Sequence, residues 1–173
     1  MKKTGLIFSI VSLFFFLLIS SCVKNDDVLY IDTVVEMDAA TWNANSVGVT
    51  YPVLTRRPAA GRASTTALDP ALSRTSGTIQ LRVNLVGAHR STDTEVTYEI
   101  ITTSTTAVAG THYAALPGKV VIAGNSSFGV IDVSILNLGP SATPVDLVIR
   151  ITSGTNAKLN TNYTTVGLRI SQT

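Results

Sequence analysis

The sequence predicts an all-β protein in which antiparallel sheets pack as a β-sandwich. The first observation is a strict alternation of apolar and polar residues, clearest over the seven residues from Ile79 to Leu85. Because successive side chains of a strand point to opposite faces, such a segment has one apolar and one hydrated face. Clusters of Gly, Pro, Asn and Ser separate these segments, and no long stretch shows a helical period. About eight short strands joined by turns are typical of a sandwich.

The individual strands are predicted from the alternation and from the turns that bound it. The clearest turns contain Pro117-Gly118, Gly124-Asn125-Ser126 and Gly139-Pro140-Ser141, residue types that favour chain reversal. Between the turns, β-branched and aromatic residues supply the side chains that strands prefer. The predicted strands are Tyr30–Met37, Val47–Leu54, Thr78–Val86, Glu95–Ile101, Lys119–Ala123, Phe128–Leu136, Val145–Ser153 and Val166–Ile170.

An export leader precedes the sandwich. Lys2 and Lys3 are followed by an apolar run from Leu6 to Ile19, which is the order of a secretory signal. Ile19-Ser20-Ser21-Cys22 resembles the bacterial lipobox, so we predict that residues 1–21 are a lipoprotein signal peptide and that Cys22 is lipidated. The alternative is an uncleaved membrane anchor, but the apolar run of about 15 residues is shorter than the ~20 that span a bilayer.

The residues after Cys22 predict where the anchored protein is displayed. Within the tether, residues 22–29, Lys24, Asp26 and Asp27 resemble the lysine-plus-acid export signal of Bacteroidota surface lipoproteins. The alternative is a solvated tether without further meaning. Asp32-Thr33-Val34 resembles the O-glycosylation site of that phylum, which makes Thr33 a candidate. These resemblances imply an outer-membrane protein that is held in the bilayer by its acyl chains and faces the cell exterior.

The mature chain, residues 22–173, is predicted to carry no net charge. Lys2 and Lys3 account for the formal charge of +2 and leave with the signal peptide. A neutral domain has no electrostatic footprint for nucleic acid. Cys22 is the only cysteine, so its lipidation leaves none for a disulfide, and packing must stabilise residues 30–173 as one domain.

A long loop at about residues 56–77 interrupts the alternation. Loops of this length are uncommon inside compact domains and are often functional or disordered. One interpretation is a mobile surface insertion; the other is a basic loop that contacts an acidic partner or an anionic ligand. The candidate contact residues are Arg56, Arg57, Arg62 and Arg74.

From Gly77 to Ser171 the order of features resembles a Calx-β domain. Ala107-Val108-Ala109-Gly110-Thr111-His112-Tyr113 is similar to the family's Ala-x-x-Gly-x-Asp-Tyr segment, and Pro117–Ile122 and Gly124–Ser127 are similar to its following strand and turn. The resemblance implies an immunoglobulin-like sandwich. Similar modules occur in Bacteroidota surface lipoproteins, some of them beside outer-membrane nutrient importers. The resemblance therefore implies an accessory subunit of a TonB-dependent (SusC/SusD-like) uptake complex, with the transporter and its lidding lipoprotein as partners.

The sequence departs from the calcium-binding members of that family. His112 occupies the position of the usual aspartate, and the acidic residues form no Asp-x-Asp cluster. Calcium prefers six to eight oxygen ligands with several carboxylates among them. We therefore predict no calcium site, no other metal site and no cofactor beyond the lipid on Cys22.

Catalytic patterns are missing from the sequence, so we predict a protein that is not an enzyme. Glu95 and Glu99 on one strand face lie about 13 Å apart, too far for a paired acid–base site. His89 and His112 are predicted to be solvent-exposed or bonded to the backbone rather than bound to zinc. No nucleophile elbow or phosphate-binding loop is present.

Binding is the function that the composition leaves open. Trp42 is either a core anchor or an exposed platform for a ligand or partner. The predicted function is that of a non-catalytic surface lipoprotein that serves an uptake complex. The alternatives are a glycan- or peptide-binding lipoprotein and an adhesive or structural surface component.

Overall fold

The computed structural model describes residues 32–57 and 65–173. The predictions for residues 1–21, Cys22, Lys24, Asp26, Asp27 and Arg62 lie outside these ranges. The strands are β1 Val34–Met37, β2 Val53–Leu54, β3 Thr78–Val86, β4 Thr94–Ile100, β5 Lys119–Ile122, β6 Phe128–Ser134, β7 Val145–Gly154, β8 Lys158–Leu159 and β9 Thr165–Ile170. The helix α1 spans Asp38–Trp42, and a 3₁₀ turn spans Thr102–Ser104. No helix within the described ranges is long and apolar enough to cross a membrane.

Two sheets form the fold and confirm the predicted β-sandwich. The four-stranded sheet has the order β6-β3-β1-β8, and the five-stranded sheet has the order β2-β9-β7-β4-β5. Most neighbouring strands are antiparallel. Two short edge strands are exceptions, since β8 pairs with β1 and β2 pairs with β9 in parallel.

The core lies between the sheets and is built by the alternation seen in the sequence. Along β3, every second residue is buried: Ile79, Leu81, Val83 and Leu85. The facing sheet contributes β7, whose Leu147 and Ile149 are both 0% exposed. Burial of these apolar side chains is the main favourable term in folding.

Residues Val47–Leu54 were predicted to form a strand, but only Val53 and Leu54 do so. The upstream residues form a tight turn in which the Val49 N–H donates to the Ser46 carbonyl at 3.2 Å. Gly48 has a φ of +82°, a left-handed conformation that ends the extended geometry. The alternation here does not belong to a strand ladder: Val47 is fully exposed, and Val49 and Tyr51 line a pocket on the outside of the sheet that is described below.

Two further elements, the helix α1 and the strand β8, were not predicted from the sequence. The helix α1 has five residues, too few to show a helical period. The Ala157-Lys158-Leu159 segment is not among the predicted strands, yet Lys158 and Leu159 pair with Val34 and Val35 as β8.

The described flanks of the long loop extend the five-stranded sheet. Arg56 forms a bridge with Ala71, and the Leu72 N–H donates to the Thr55 carbonyl at 2.9 Å. Ser73 then pairs with Ser171 beyond the end of β9. Both flanks of the loop are therefore fastened to the sandwich by main-chain hydrogen bonds.

Candidate binding surface

Trp42 lies at the end of α1 and is 68% exposed, which excludes the core-anchor alternative. Its indole Nε1–H donates to Asp38 Oδ1 at 3.2 Å. An exposed tryptophan presents a large apolar surface with few rotatable bonds, and one hydrogen bond to a fixed acceptor restricts it further. The ring is therefore held in place while its surface is available for contact.

The acceptor that holds Trp42 is itself buried and fixed. Asp38 is 7% exposed and also accepts a hydrogen bond from Asn84 Nδ2 of β3 at 2.7 Å. Two residues earlier, Glu36 is 8% exposed and accepts from Asn160 Nδ2 at 2.6 Å. Within residues 32–57 and 65–173, neither carboxylate forms an ion pair. Amide donors thus satisfy both groups, as buried polar groups require.

A second aromatic residue lies on the same outer face of the four-stranded sheet. Phe128 of β6 is directly opposite Asn84 in the sheet register and is 39% exposed. The guanidinium of Arg82 lies 4.1 Å from the Phe128 ring centroid, a cation–π contact. We call Trp42, Arg82, Asn84 and Phe128 the Trp42 face. It combines exposed aromatic rings with an arginine, the residue types that dominate binding hot spots.

Sequence reasoning found Trp42 but missed the other members of this face. Arg82 and Asn84 are the polar positions of the alternating β3 segment, so their outward direction was predictable. Their juxtaposition with Phe128 was not, because it depends on the register between β3 and β6, which pairs Asn84 with Phe128.

The arginines of the long loop bond to the protein itself. Arg56 Nη1 donates to the Asp69 carbonyl at 2.5 Å, and Arg57 Nη1 donates to the Ser76 carbonyl at 3.1 Å. Arg74 donates through Nε to the Gln172 carbonyl at 3.1 Å and through Nη1 to Asn137 Oδ1. These contacts hold the loop flanks to their neighbours, and a contact with an anionic ligand stays a prediction for all three.

The candidate glycosylation residue lies beside the four-stranded sheet. Thr33 is half-buried just before β1, and its carbonyl accepts a hydrogen bond from the Lys158 N–H at 2.9 Å. The neighbouring Asp32 forms an exposed ion pair with the Lys158 ammonium at 2.9 Å. Modification of Thr33 stays a prediction.

The other polar candidates have local partners. His112 Nδ1 accepts a hydrogen bond from the Val108 N–H at 2.9 Å, which confirms a backbone-bonded histidine. Glu95 pairs with Lys119 and Glu99 pairs with Arg150 on the exposed face of the five-stranded sheet. Among the described residues, no three His, Cys, Asp or Glu side chains are grouped so as to hold a metal ion. The absence of a calcium site and of an enzymatic activity stay predictions.

Comparison with known proteins finds likeness in structure alone. No family model matches the chain, and no curated protein matches it. Among solved structures, it is similar to the Calx CBD2 domain, with 18% identity and a TM-score of 0.49 over 57% of this chain and 78% of that one. For the apo-form Calx CBD1 domain the identity is 20% and the TM-score 0.47, over 58% of this chain and 88% of that one.

A third similar structure is the calcium binding domain CBD12 of CALX1.1. The identity is 20% and the TM-score 0.46, over 56% of this chain, which spans 40% of that one. All three are Calx domains, the family that Gly77–Ser171 resembles. The sandwich itself is established by the strand order and register of the two sheets.

Replacing Asp38 with alanine is expected to release Trp42 from its fixed position. The change leaves the Trp42 indole N–H and the Asn84 amide without their common acceptor, so the indole loses the hydrogen bond that restrains it. Because Trp42 is the only tryptophan, its fluorescence anisotropy should fall and its quenching by acrylamide should rise. The Asp38→Asn variant keeps an Oδ1 acceptor and serves as the matched control. Equal anisotropy in the alanine variant and the parent protein would show that Asp38 does not hold the ring.

Proposed function

We propose that the protein is a non-catalytic binding lipoprotein of the cell surface, anchored through a lipid on Cys22. Its work is to serve as an accessory subunit of an outer-membrane uptake complex made of a TonB-dependent transporter and its lidding lipoprotein. The proposal combines the resemblances of the N-terminal segment and of Gly77–Ser171 with the exposed surface of the sandwich.

The observation that supports a binding role most directly is the exposure of Trp42. A single tryptophan that is 68% exposed, with its N–H bonded to a buried carboxylate, adds little to the core. At protein interfaces, tryptophan and arginine are the residues most enriched in hot spots. The Trp42 face presents both, beside Phe128, on the outer side of the four-stranded sheet. We therefore assign the partner-binding role to this face.

The experiment that tests the proposal is purification of the tagged, lipidated protein from its native outer membrane in mild detergent. Mass spectrometry of the co-purifying proteins is expected to find a transporter and its lidding lipoprotein in near-equal amounts. Recovery of the protein alone would contradict a stable complex and favour direct ligand binding or adhesion. Surface display is tested separately by protease treatment of intact cells, which should remove the protein if it faces outward.

A further inference from the structure

An open pocket of about 350 Å³ lies on the outer face of the five-stranded sheet, whereas Arg82, Asn84 and Phe128 of the Trp42 face belong to the four-stranded sheet. This volume is within the about 300–1,000 Å³ of small-molecule sites. Its base is formed by outward side chains of the neighbouring interior strands β7 and β9. Its wall is the turn that precedes β2, with Val49 and Tyr51.

The wall packs closely against the sheet because the residue beneath it on β9 is a glycine. A Cβ added to Gly167 would lie 3.1 Å from Val53 Cγ2 and 3.4 Å from Tyr51 Cε2, so the missing side chain makes room for both residues. Val148 lies opposite Gly167 in the register and is 2% exposed although it points away from the core. The accessible apolar side of the pocket is therefore formed by Val49, Tyr51 and Val53, which lie over the buried Val148.

The polar side of the pocket is formed by a bidentate ion pair between Arg169 and Asp146. Arg169 and Asp146 lie opposite each other on β9 and β7, with Nε–Oδ1 and Nη2–Oδ2 distances of 2.8 Å. The hydrogen bond and then the charge of Asp146 raise the pKa of Arg169 above its usual value. The Asp146 N–H donates to Thr106 Oγ1, which fixes the strand at this point. The pair is neutral as a unit, yet each carboxylate oxygen has a further lone pair and the guanidinium has further N–H groups.

This arrangement favours a neutral ligand. Because the ion pair is neutral as a unit, it offers a charged ligand no net Coulomb attraction to offset the cost of desolvating that ligand. A peptide strand finds no main-chain partners on β7 here, because β7 pairs with β9 on one side and the backbone groups of Asp146 and Val148 bond to residues 101–106 on the other. What fits is a neutral molecule with an apolar face for the valines and Tyr51, and hydroxyl groups for the ion pair. The hydroxyls of Ser46, Thr55 and Ser104 surround the same space.

We propose that this pocket binds a neutral sugar unit, whose C–H face packs on Tyr51 and the valines and whose hydroxyls bond to Asp146, Arg169 and Ser104. The site goes beyond the accessory-subunit function, since it is on the other sheet from the Trp42 face. A pyranose ring has the required two sides: axial C–H groups on one face and donor–acceptor hydroxyls around its edge.

The test is isothermal titration of the full-length lipidated protein in a detergent without a sugar head group. The probes are glucose, galactose, mannose, xylose, N-acetylglucosamine and their disaccharides, with glucuronate as the charged counterpart of glucose. We expect at least one neutral sugar to bind with a Kd of about 1 mM or lower, and glucuronate to bind more weakly than glucose.

Two variants locate the binding. Val49→Trp places a large ring in the pocket wall at a residue that is 37% exposed and is expected to weaken binding at least tenfold. Val121→Trp, at a 48% exposed valine on the far edge strand β5, is the matched control and should bind as the parent does. Ser104→Ala, which removes one hydroxyl without filling the pocket, should weaken binding severalfold and decides the matter if Val49→Trp does not fold.

Other results would overturn the proposal. These are binding of none of the sugars by folded protein, binding that Val49→Trp and Ser104→Ala leave unchanged, or binding that is lost in Trp42→Ala instead. Co-purification distinguishes the sugar site from the accessory-subunit function. Val49→Trp should still co-purify with the transporter and its lidding lipoprotein, whether or not it binds sugar, because the partner-binding role is assigned to the Trp42 face.

Discussion

Replacing Leu147 with alanine is expected to lower the free energy of unfolding by about 2–5 kcal/mol, the range for large-to-small changes in a core. Leu147 is 0% exposed and lies on β7, the central strand of the five-stranded sheet, where it belongs to the core between the sheets. Alanine would leave a cavity that the flanking strands β4 and β9 cannot close without breaking their ladders. Since domains of this size are stable by only about 5–15 kcal/mol, this is a large share of the total.

The measurement is denaturant unfolding followed by far-ultraviolet circular dichroism. The matched control is Val121→Ala on β5, where the side chain is 48% exposed and truncation should change the stability by no more than about 0.5 kcal/mol. Equal losses in the two variants would show that the inter-sheet core described above does not dominate stability.

The sandwich was predictable because its long strands bury one face each. The residues of β3 and β9 alternate so regularly that only one register buries all of their apolar side chains. The same kind of alternation led to a wrong prediction at Val47 and Val49, which do not belong to a strand. Both residues lie at a pocket on the outside of the sheet, and Val47 is fully exposed. Their alternation therefore does not reflect burial in the core, and the sequence alone does not distinguish the two cases.

The candidate sites were less predictable because they join residues that are distant in the chain. Asp38 meets Asn84, and Tyr51 meets Gly167, only after the sheets have formed. Composition gave no sign that Asp146 and Arg169 would be cross-strand neighbours. The sequence also did not predict whether Trp42 is exposed or buried, because its position depends on the short helix α1 and on its hydrogen bond to the buried Asp38.

Replacing Trp42 with alanine is expected to weaken binding to the transporter and lidding lipoprotein by about 2 kcal/mol or more, roughly 30-fold in Kd. The physical reason is that the indole offers the largest exposed aromatic surface of the Trp42 face and is already ordered by Asp38, so little conformational entropy is lost on binding. Stability should change by no more than about 0.5 kcal/mol, because a side chain that is 68% exposed leaves no cavity.

The experiment compares the amounts of both partners that co-purify with each variant from the native membrane. Leu138→Ala is the matched control, since Leu138 is 70% exposed and lies in the loop after β6 rather than on the Trp42 face. Arg82→Ala should act in the same direction as Trp42→Ala, because it removes the cation from Phe128 and an arginine from the same surface. If Trp42→Ala and Leu138→Ala retain the partners equally well, the Trp42 face is not the interface. Loss of partners in Trp42→Ala but not in Arg82→Ala would show that the contact includes Trp42 but does not depend on the Arg82 side chain.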